Sequence, residues 1–267
     1  MSGRLKDRNA IVLGASQPGG SGWTVARLLA QEGARVAVAA RRIDKVEALA
    51  EDIGGLAFRC DAADETQVAA FVDGAAEKMG GLDIAIAAVG LGTLGSIDET
   101  GQAALDEAFR VNFFGPFHFV RYAARHMTAG GSITLFSSIT STDVLPGSVA
   151  YSCAKGALNS FTRYAAVEYA PRGIRVNAIK AGVLEGPQAR RWRRAGMFER
   201  FLKEIPLGAP VETEELGRMA VWLATDARSI TGETIHVDGG GHLRRQVFPD
   251  EMSEAGLEAM GRRRTDI

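Results

Sequence analysis

Tyr151, Lys155 and, thirteen residues upstream of the tyrosine, Ser138 are the side chains whose types and spacing could do chemistry. Residues four apart on a helix lie one turn above each other on one face, so Tyr151 and Lys155 are expected side by side. An ammonium held there favours the phenolate and makes the phenol a better acid near neutral pH than its ordinary pKa of about 10 allows. A hydroxyl from Ser138 would hold a substrate oxygen beside that phenol. This is what proton transfer needs while a hydride moves elsewhere. Tyr-x-x-x-Lys alone also occurs on ordinary helix surfaces, so the weight falls on what the rest of the chain positions around it.

The surrounding pattern alternates short apolar runs with longer helical segments. Strands are expected over residues 10–13, 35–39, 56–59, 84–89, 132–136 and 175–179, and helices over 23–32, 45–52, 65–78, 103–126 and 151–169. Near-continuous apolar strands separated by helices argue for a parallel sheet covered on both faces. With right-handed crossovers this is a single α/β domain over residues 1–240, a Rossmann-type doubly wound sheet. A chain of 267 residues with 46% hydrophobic content can bury such a core.

Two segments break the rhythm. Residues 186–204 carry Arg190, Arg191, Trp192, Arg193, Arg194, Phe198 and Phe201. That composition suits a mobile lid over the strand ends, and equally an exposed helix with solvated arginines. Residues 241–267 are rich in charge, end in Arg262, Arg263 and Arg264, and are expected to be partly ordered at best.

A formal net charge of -1 and a pI near 6.5 give no electrostatic case for nucleic acid or an anionic membrane. Cys60 and Cys153 make neither a metal-ligand nor a redox spacing, which fits a reduced, cytoplasmic chain. The first nine residues are polar and no apolar stretch approaches about 18 residues, so neither a signal peptide nor a membrane span is expected. His118, His126, His236 and His242 lie scattered without ligand spacing. No metal is therefore expected, and His236 and Asp238 are assigned a structural role.

The first strand runs into Gly14-Ala15-Ser16-Gln17-Pro18-Gly19-Gly20-Ser21-Gly22 and then a helix. Glycines at such a junction let backbone approach a pyrophosphate, whose charge the helix N-terminus favours. Ala40 stands at the end of the second strand, where a carboxylate would bind the free hydroxyls of an adenosine ribose; Arg41 and Arg42 follow it. With no acid to repel a 2′-phosphate and two guanidiniums to pair with it, NADP(H) is expected over NAD(H). Asp61, after the third strand, either accepts from the adenine amino group or caps the next helix.

Together these residues resemble the short-chain dehydrogenase/reductase family, of the ketoreductase type, over about residues 5–240. The matching elements are the glycine-rich turn, Arg59-Cys60-Asp61, Val111-Asn112 with Gly115, Ser137-Ser138, and Tyr151 with Lys155. Arg175-Val176-Asn177-Ala178-Ile179 and the late run from Ile230 to Val237-Asp238-Gly239-Gly240 complete them. The resemblance implies that Tyr151 is the general acid/base and that Lys155 binds the nicotinamide ribose and tunes Tyr151. It implies that Ser138 positions the substrate carbonyl and that Asn112 holds a water linking Lys155 to solvent. Cofactor contacts are implied for Gly14, Ser16, Gly20, Gly22, Arg41, Arg42, Asp61, Gly90, Tyr151, Lys155, Gly182 and Val183. It also implies homotetramers, or sometimes homodimers, built through the fourth and fifth helices and the last strand.

The departures matter as much. Leu13 stands where the family usually has Thr, and Ala87-Ala88-Val89-Gly90 where it has Asn-Asn-Ala-Gly. In the family these polar elements support each other, and losing both leaves no orphaned buried partner. The glycine turn is two residues longer, with Gln17-Pro18 in the insertion. That length resembles the enoyl-thioester reductase branch, which however separates its Tyr and Lys by six residues rather than three. Ala181-Gly182 replaces Pro-Gly, and Gly186 replaces a nicotinamide-binding threonine.

The expected activity is NADP(H)-dependent interconversion of a secondary alcohol and a ketone. Reduction of an activated C=C is the alternative, and a non-catalytic NADP-binding protein a third reading that an intact Asn112, Ser138, Tyr151 and Lys155 argues against. Leu91, Leu94, Val144, Leu145, Val183, Leu184 and Trp192 are expected to border a pocket for an apolar, cyclic or acyl substrate. Arg190 to Arg194 would meet a carboxylate, coenzyme A or an acyl-carrier phosphate, or else lie on the surface.

Overall fold

The computed structural model describes residues 3–128, 130–187, 189–194, 196–248 and 251. The first half runs β1 (Asn9–Leu13), α1 (Ser21–Gln31), β2 (Arg35–Ala40), α2 (Ile43–Ile53), β3 (Leu56–Arg59), α3 (Glu65–Met79), β4 (Ile84–Ala87) and α4 (Gln102–Phe109). The second half runs α5 (Gly115–Arg125), β5 (Gly131–Ser138), α6 (Val149–Tyr169), β6 (Ile174–Ala181) and β7 (Leu184–Glu185). It continues with α7 (Ala189–Arg194), α8 (Phe198–Lys203), β8 (Val211–Glu212), α9 (Thr213–Thr225) and β9 (Thr234–Val237). Seven strands make one parallel sheet in the order β3-β2-β1-β4-β5-β6-β9.

The central strands are apolar on both faces because both faces are covered. On one side Ile11, Leu13, Ile133 and Leu135 meet Phe71, Phe119 and Leu158 from α3, α5 and α6. On the other, Val12, Val38 and Ile86 meet Val25, Leu29 and Leu216 from α1 and α9. Each such side chain, fully buried, contributes roughly 1.5–3 kcal/mol before chain entropy is subtracted. Local signals set the helix ends. The Asp64 carboxylate accepts from the Thr66 and Gln67 amides to open α3, Gly80 closes it at φ 83°, and a Glu212–Glu215 capping box opens α9.

The long helix expected over residues 103–126 is broken by a π-helical turn, Arg110–Phe114, in which the Gly115 amide reaches back to the Arg110 carbonyl. Pro116 has no N–H to return to the carbonyl four residues earlier, that of Asn112, so the regular ladder cannot continue through this point. Gly115 is obligatory here, because a Cβ would collide with the Ala62 carbonyl.

The Leu13 and Ala87 replacements are neighbours. They pair across β1 and β4, the Ala88 amide donates to the Leu13 carbonyl at 2.8 Å, and both side chains are buried. Two polar groups have been exchanged together for apolar contact. Leu13→Thr should therefore lower stability by about 1–3 kcal/mol, since the restored hydroxyl finds no restored partner. Urea denaturation of the variant checks this, and a neutral result would contradict the pairing argument.

Candidate active site

All the exits of the parallel strands open at one edge, and β1 lies between β2 and β4, so the chain reverses direction across it. A crevice at such a reversal is where open α/β sheets hold ligands. Ser138 is the last residue of β5, and Tyr151 and Lys155 occupy the first two turns of α6. The Ser138 side chain acts on the Tyr151 phenol as a hydrogen-bonding group that pulls its pKa down. Ser138 is itself held from the side: its hydroxyl accepts from the Thr140 amide at 3.2 Å and lies 3.0 Å from the Thr140 hydroxyl.

Lys155 is 1% exposed, and its ammonium donates to the Phe136 carbonyl at 2.7 Å and the Val89 carbonyl at 3.0 Å. Its Nζ lies 5.8 Å from the Tyr151 ring centroid. Burial pushes its pKa down to about 7. The expected easing of the Tyr151 proton is not what this arrangement produces. Desolvation raises the phenol's pKa above its ordinary value, and the Ser138 hydrogen bond offsets this only in part. The ammonium is aimed at two carbonyls and is itself half discharged near pH 7, so burial dominates.

Asn112 is fully buried in the π turn. Its amide donates to the Leu91 and Ala108 carbonyls at 3.0 and 2.9 Å, and its oxygen accepts from the Leu91 amide at 3.0 Å. The side chain thus fastens the β4 exit to the α4–α5 junction.

The glycine-rich turn closes on itself. A Cβ on Gly14 would stand 2.6 Å from the Ala88 carbonyl oxygen, and one on Gly22 would stand 2.5 Å from that of Gly14. No side chain caps α1 at Gly20, so its first N–H groups face the crevice uncapped. Arg42 folds over this turn, donating to the Ser16 carbonyl at 2.9 Å, the Ser16 hydroxyl at 3.2 Å and the Gln17 amide oxygen at 3.0 Å. Arg41 is exposed. Asp61 bonds the Ala63 amide at 3.0 Å, and it is Asp64 that caps α3, which removes the capping alternative for Asp61. Gly90 follows the exit of β4 and Gly182 and Val183 that of β6, so the residues singled out in the sequence converge on one edge of the sheet.

A family model described as enoyl-(acyl carrier protein) reductase matches residues 14–242. The cis-4-hydroxycyclohexanecarboxylate dehydrogenase of Sinomonas cyclohexanicum is 36% identical over 248 residues, covering 90% of this chain and 98% of that protein. The 3-oxoacyl-acyl-carrier-protein reductase of Rattus norvegicus is 33% identical over 237 residues, covering 88% of this chain and 98% of that protein. Among solved structures, a short-chain type dehydrogenase/reductase from Mycobacterium ulcerans superposes with a TM-score of 0.88 at 28% identity, covering 96% of this chain and 98% of that one. One from Serratia marcescens BCRC 10948 gives 0.85 at 31% identity, covering 90% and 99%.

The chain belongs to the short-chain dehydrogenase/reductase family. It is an oxidoreductase acting on CH–OH and C=O groups with a nicotinamide dinucleotide, NAD(P)(H). The glycine cradle, filled by any Cβ, and the uncapped start of α1 fit the pyrophosphate of such a cofactor.

In this short-chain dehydrogenase/reductase the segment carrying Trp192 and Phe201 leaves from β7 and returns at β8, which pair in parallel. Met197, Phe201 and Val247 form a small core with Leu145, Val183 and Trp192 against it. Three of the expected pocket residues, Leu145, Val183 and Trp192, are thus brought together. Val144 is instead 76% exposed, and Leu184 packs into the main core. Among the arginines of that segment, Arg193 pairs with Glu185 at 2.6 Å and covers the Phe198 ring at 4.2 Å, while Arg190 and Arg194 are exposed. Residues 241–248, the start of the expected tail, include a 3-10 turn (Gly241–Leu243) and bury Val247 against Met197 and Phe201; beyond them, Glu251 apart, the tail lies outside the described residues.

Two features escaped the sequence reading. Asn159 lies four residues beyond Lys155; its side-chain oxygen accepts from the Ser137 hydroxyl at 2.6 Å and its amide donates to the Ser141 hydroxyl at 2.8 Å. Ser141 in turn donates to the Ser138 carbonyl at 2.6 Å. The extended spacing Tyr151, Lys155, Asn159 was the available signal. The histidines are the second correction. His126 pairs with Asp73 at 2.7 Å on the surface, but His236 and His242 are not scattered: their rings stack at 3.9 Å.

Lys155 carries a stability signature. Its folded pKa is depressed, so between about pH 7 and the unfolded value of 10.5 the unfolded chain holds the extra proton. Its contribution to stability therefore rises with pH across that window, and the cost of burial is fully felt below it. Thermal denaturation at pH 6 and pH 9 should show wild type gaining on Lys155→Met as pH rises. An unchanged difference would mean that burial leaves the amine's pKa at its unfolded value.

Proposed function

We propose that the protein is an NADP(H)-dependent oxidoreductase that interconverts a secondary alcohol and a ketone on an apolar, cyclic or acyl substrate. The observation that carries this is that Ser138, at the end of β5, and Tyr151, in the first turn of α6, meet at the sheet edge beside the buried Lys155 ammonium. When bound, the dinucleotide supplies hydride to the carbonyl carbon, or accepts it from the alcohol. Ser138 and the Tyr151 phenol hold the substrate oxygen, and Tyr151 donates its proton as negative charge develops there. Lys155, near half-protonated at neutral pH, stands where it can return a proton toward the phenol. Asn112 spends its side chain on Leu91 and Ala108, so its part in relaying protons falls to the main-chain carbonyl that Pro116 leaves without its helical donor.

Preference for the phosphorylated cofactor rests on Ala40 followed by two arginines, with Arg42 already gathered against Ser16. The apolar lid core supports a hydrocarbon substrate, and the relative from Sinomonas cyclohexanicum is named for a hydroxylated ring. Assembly as a homotetramer or homodimer is supported by a groove of about 570 Å³ on α5 and α6, lined by Phe113, Phe117, Phe161 and Tyr164. Phe114 in the adjoining π turn and Tyr164 and Val167 on α6 are exposed apolar groups beside it.

Tyr151→Phe should lower kcat by about 10²–10⁴-fold while leaving NADPH affinity nearly intact, measured by stopped-flow turnover and fluorescence titration. Substantial turnover in that variant would overturn the assignment. Arg42→Ala should weaken NADPH by about tenfold or more and NADH much less, consistent with loss of a charge-assisted phosphate contact. Equal losses for both cofactors would remove the case for NADP(H).

The second reading, reduction of an activated C=C, is favoured by the long glycine turn and the description of the matching family model. Against it stands the separation of Tyr151 and Lys155 by three residues. Paired ketone and enone substrates, assayed by NADPH consumption, separate the two.

A further inference from the structure

We propose that His236, Asp238 and His242 form a binding site for a late first-row divalent metal ion, of which zinc is the natural choice, at the end of β9. One ligand atom from each of the three lies within 4.8 Å of the others. The arrangement follows from the backbone. Alternate residues of a strand share a face, so His236 and Asp238 emerge together. Gly239 and Gly240, at φ 62° and 86°, then reverse the chain and bring His242 back over them. Two imidazoles and one carboxylate suit zinc, nickel or copper rather than magnesium or calcium, which favour all-oxygen shells.

Asp238 is 4% exposed and accepts from the Gly240 amide at 2.9 Å, the His242 amide at 3.0 Å and the His242 ring Nδ1 at 2.8 Å. An ion held by both side chains would take the place of the proton between Asp238 Oδ2 and His242 Nδ1, with Nδ1 as the imidazole ligand, so binding releases that proton. His236 stacks on this ring at 3.9 Å and 17° and is exposed, so it can swing its ring edge to a shared ion without moving the backbone.

The surrounding charge favours a cation. The groups in electrostatic reach are Lys180, Asp143 and Asp238, which with neutral imidazoles sum to one negative charge. Lys180 is tied to the Thr142 hydroxyl at 3.1 Å, and Asp143 keeps one buried carboxylate oxygen without a hydrogen-bond partner. The fourth position would be left to water.

The location gives such an ion something to hold. A Cβ on Gly182 would meet that of Asp238 at 2.6 Å, and the Leu207 amide, just past the lid, donates to the Gly239 carbonyl at 3.1 Å. A bound ion would clamp the β9 turn between the β6 exit and the end of the lid. It takes no part in the Tyr151 chemistry.

The test is titration of tag-free protein, stripped by chelator, with zinc chloride by calorimetry and against a competing chromophoric chelator. One equivalent per chain is expected, weakened about tenfold or more in both His236→Ala and His242→Ala, with imidazole nitrogen in the zinc X-ray absorption spectrum. His236→Ala alters an exposed side chain, so its fold and basal turnover should persist while zinc is lost. No uptake at micromolar zinc, or uptake undiminished in both variants, would overturn the proposal.

Discussion

The constraint on which this molecule turns is a buried ammonium that must be paid for by carbonyls. Lys155 sits at 1% exposure with its charge directed at the ends of two neighbouring strands, through Val89 and Phe136. Removing a cation from water costs several kcal/mol even after relaxation. Parallel strands exit with carbonyls at the same edge, so the β4–β5 exits offer acceptors at the place where α6 delivers the lysine. The cost is lowered further by discharge, since the amine is near half-neutral at pH 7.

The same burial governs the phenol. Tyr151 is more reluctant to ionise than its spacing from Lys155 suggests, because desolvation outweighs an ammonium turned toward backbone. That makes Tyr151 a proton holder, suited to releasing its proton to a developing alkoxide rather than standing ionised. Ser138 is kept in place by a chain of hydroxyls and amides from Ser141, Asn159 and Ser137, so the oxygen-binding pair rests on α6 and β5 rather than on a loop.

Substituted positions in this chain are coupled in space. Leu13 and Ala87 exchange a polar contact for an apolar one across β1 and β4. The extended glycine turn brings Gly19 beside the β6–β7 exit, where a Cβ on Gly186 would stand 3.6 Å from the Gly19 carbonyl. The stretch past Gly240 packs Val247 against Phe201 and Met197, so the end of the domain supports the segment between β7 and β8.

Sequence alone determined the alternation of strands and helices, the glycine cradle and the Tyr151–Lys155 pairing. Each depends on local periodicity or on residues a few positions apart. It did not reveal the π turn at Asn112, because that break arises where Gly115 is forced against Ala62 as well as from Pro116. Nor did it reveal the sign of the Tyr151 shift, which depends on where an ammonium points after packing. His236 and His242 looked unrelated because their approach needs both strand alternation and a reversal through two left-handed glycines. Contacts made through a turn, and charges set by burial, belong to the folded molecule; tertiary structure decided them.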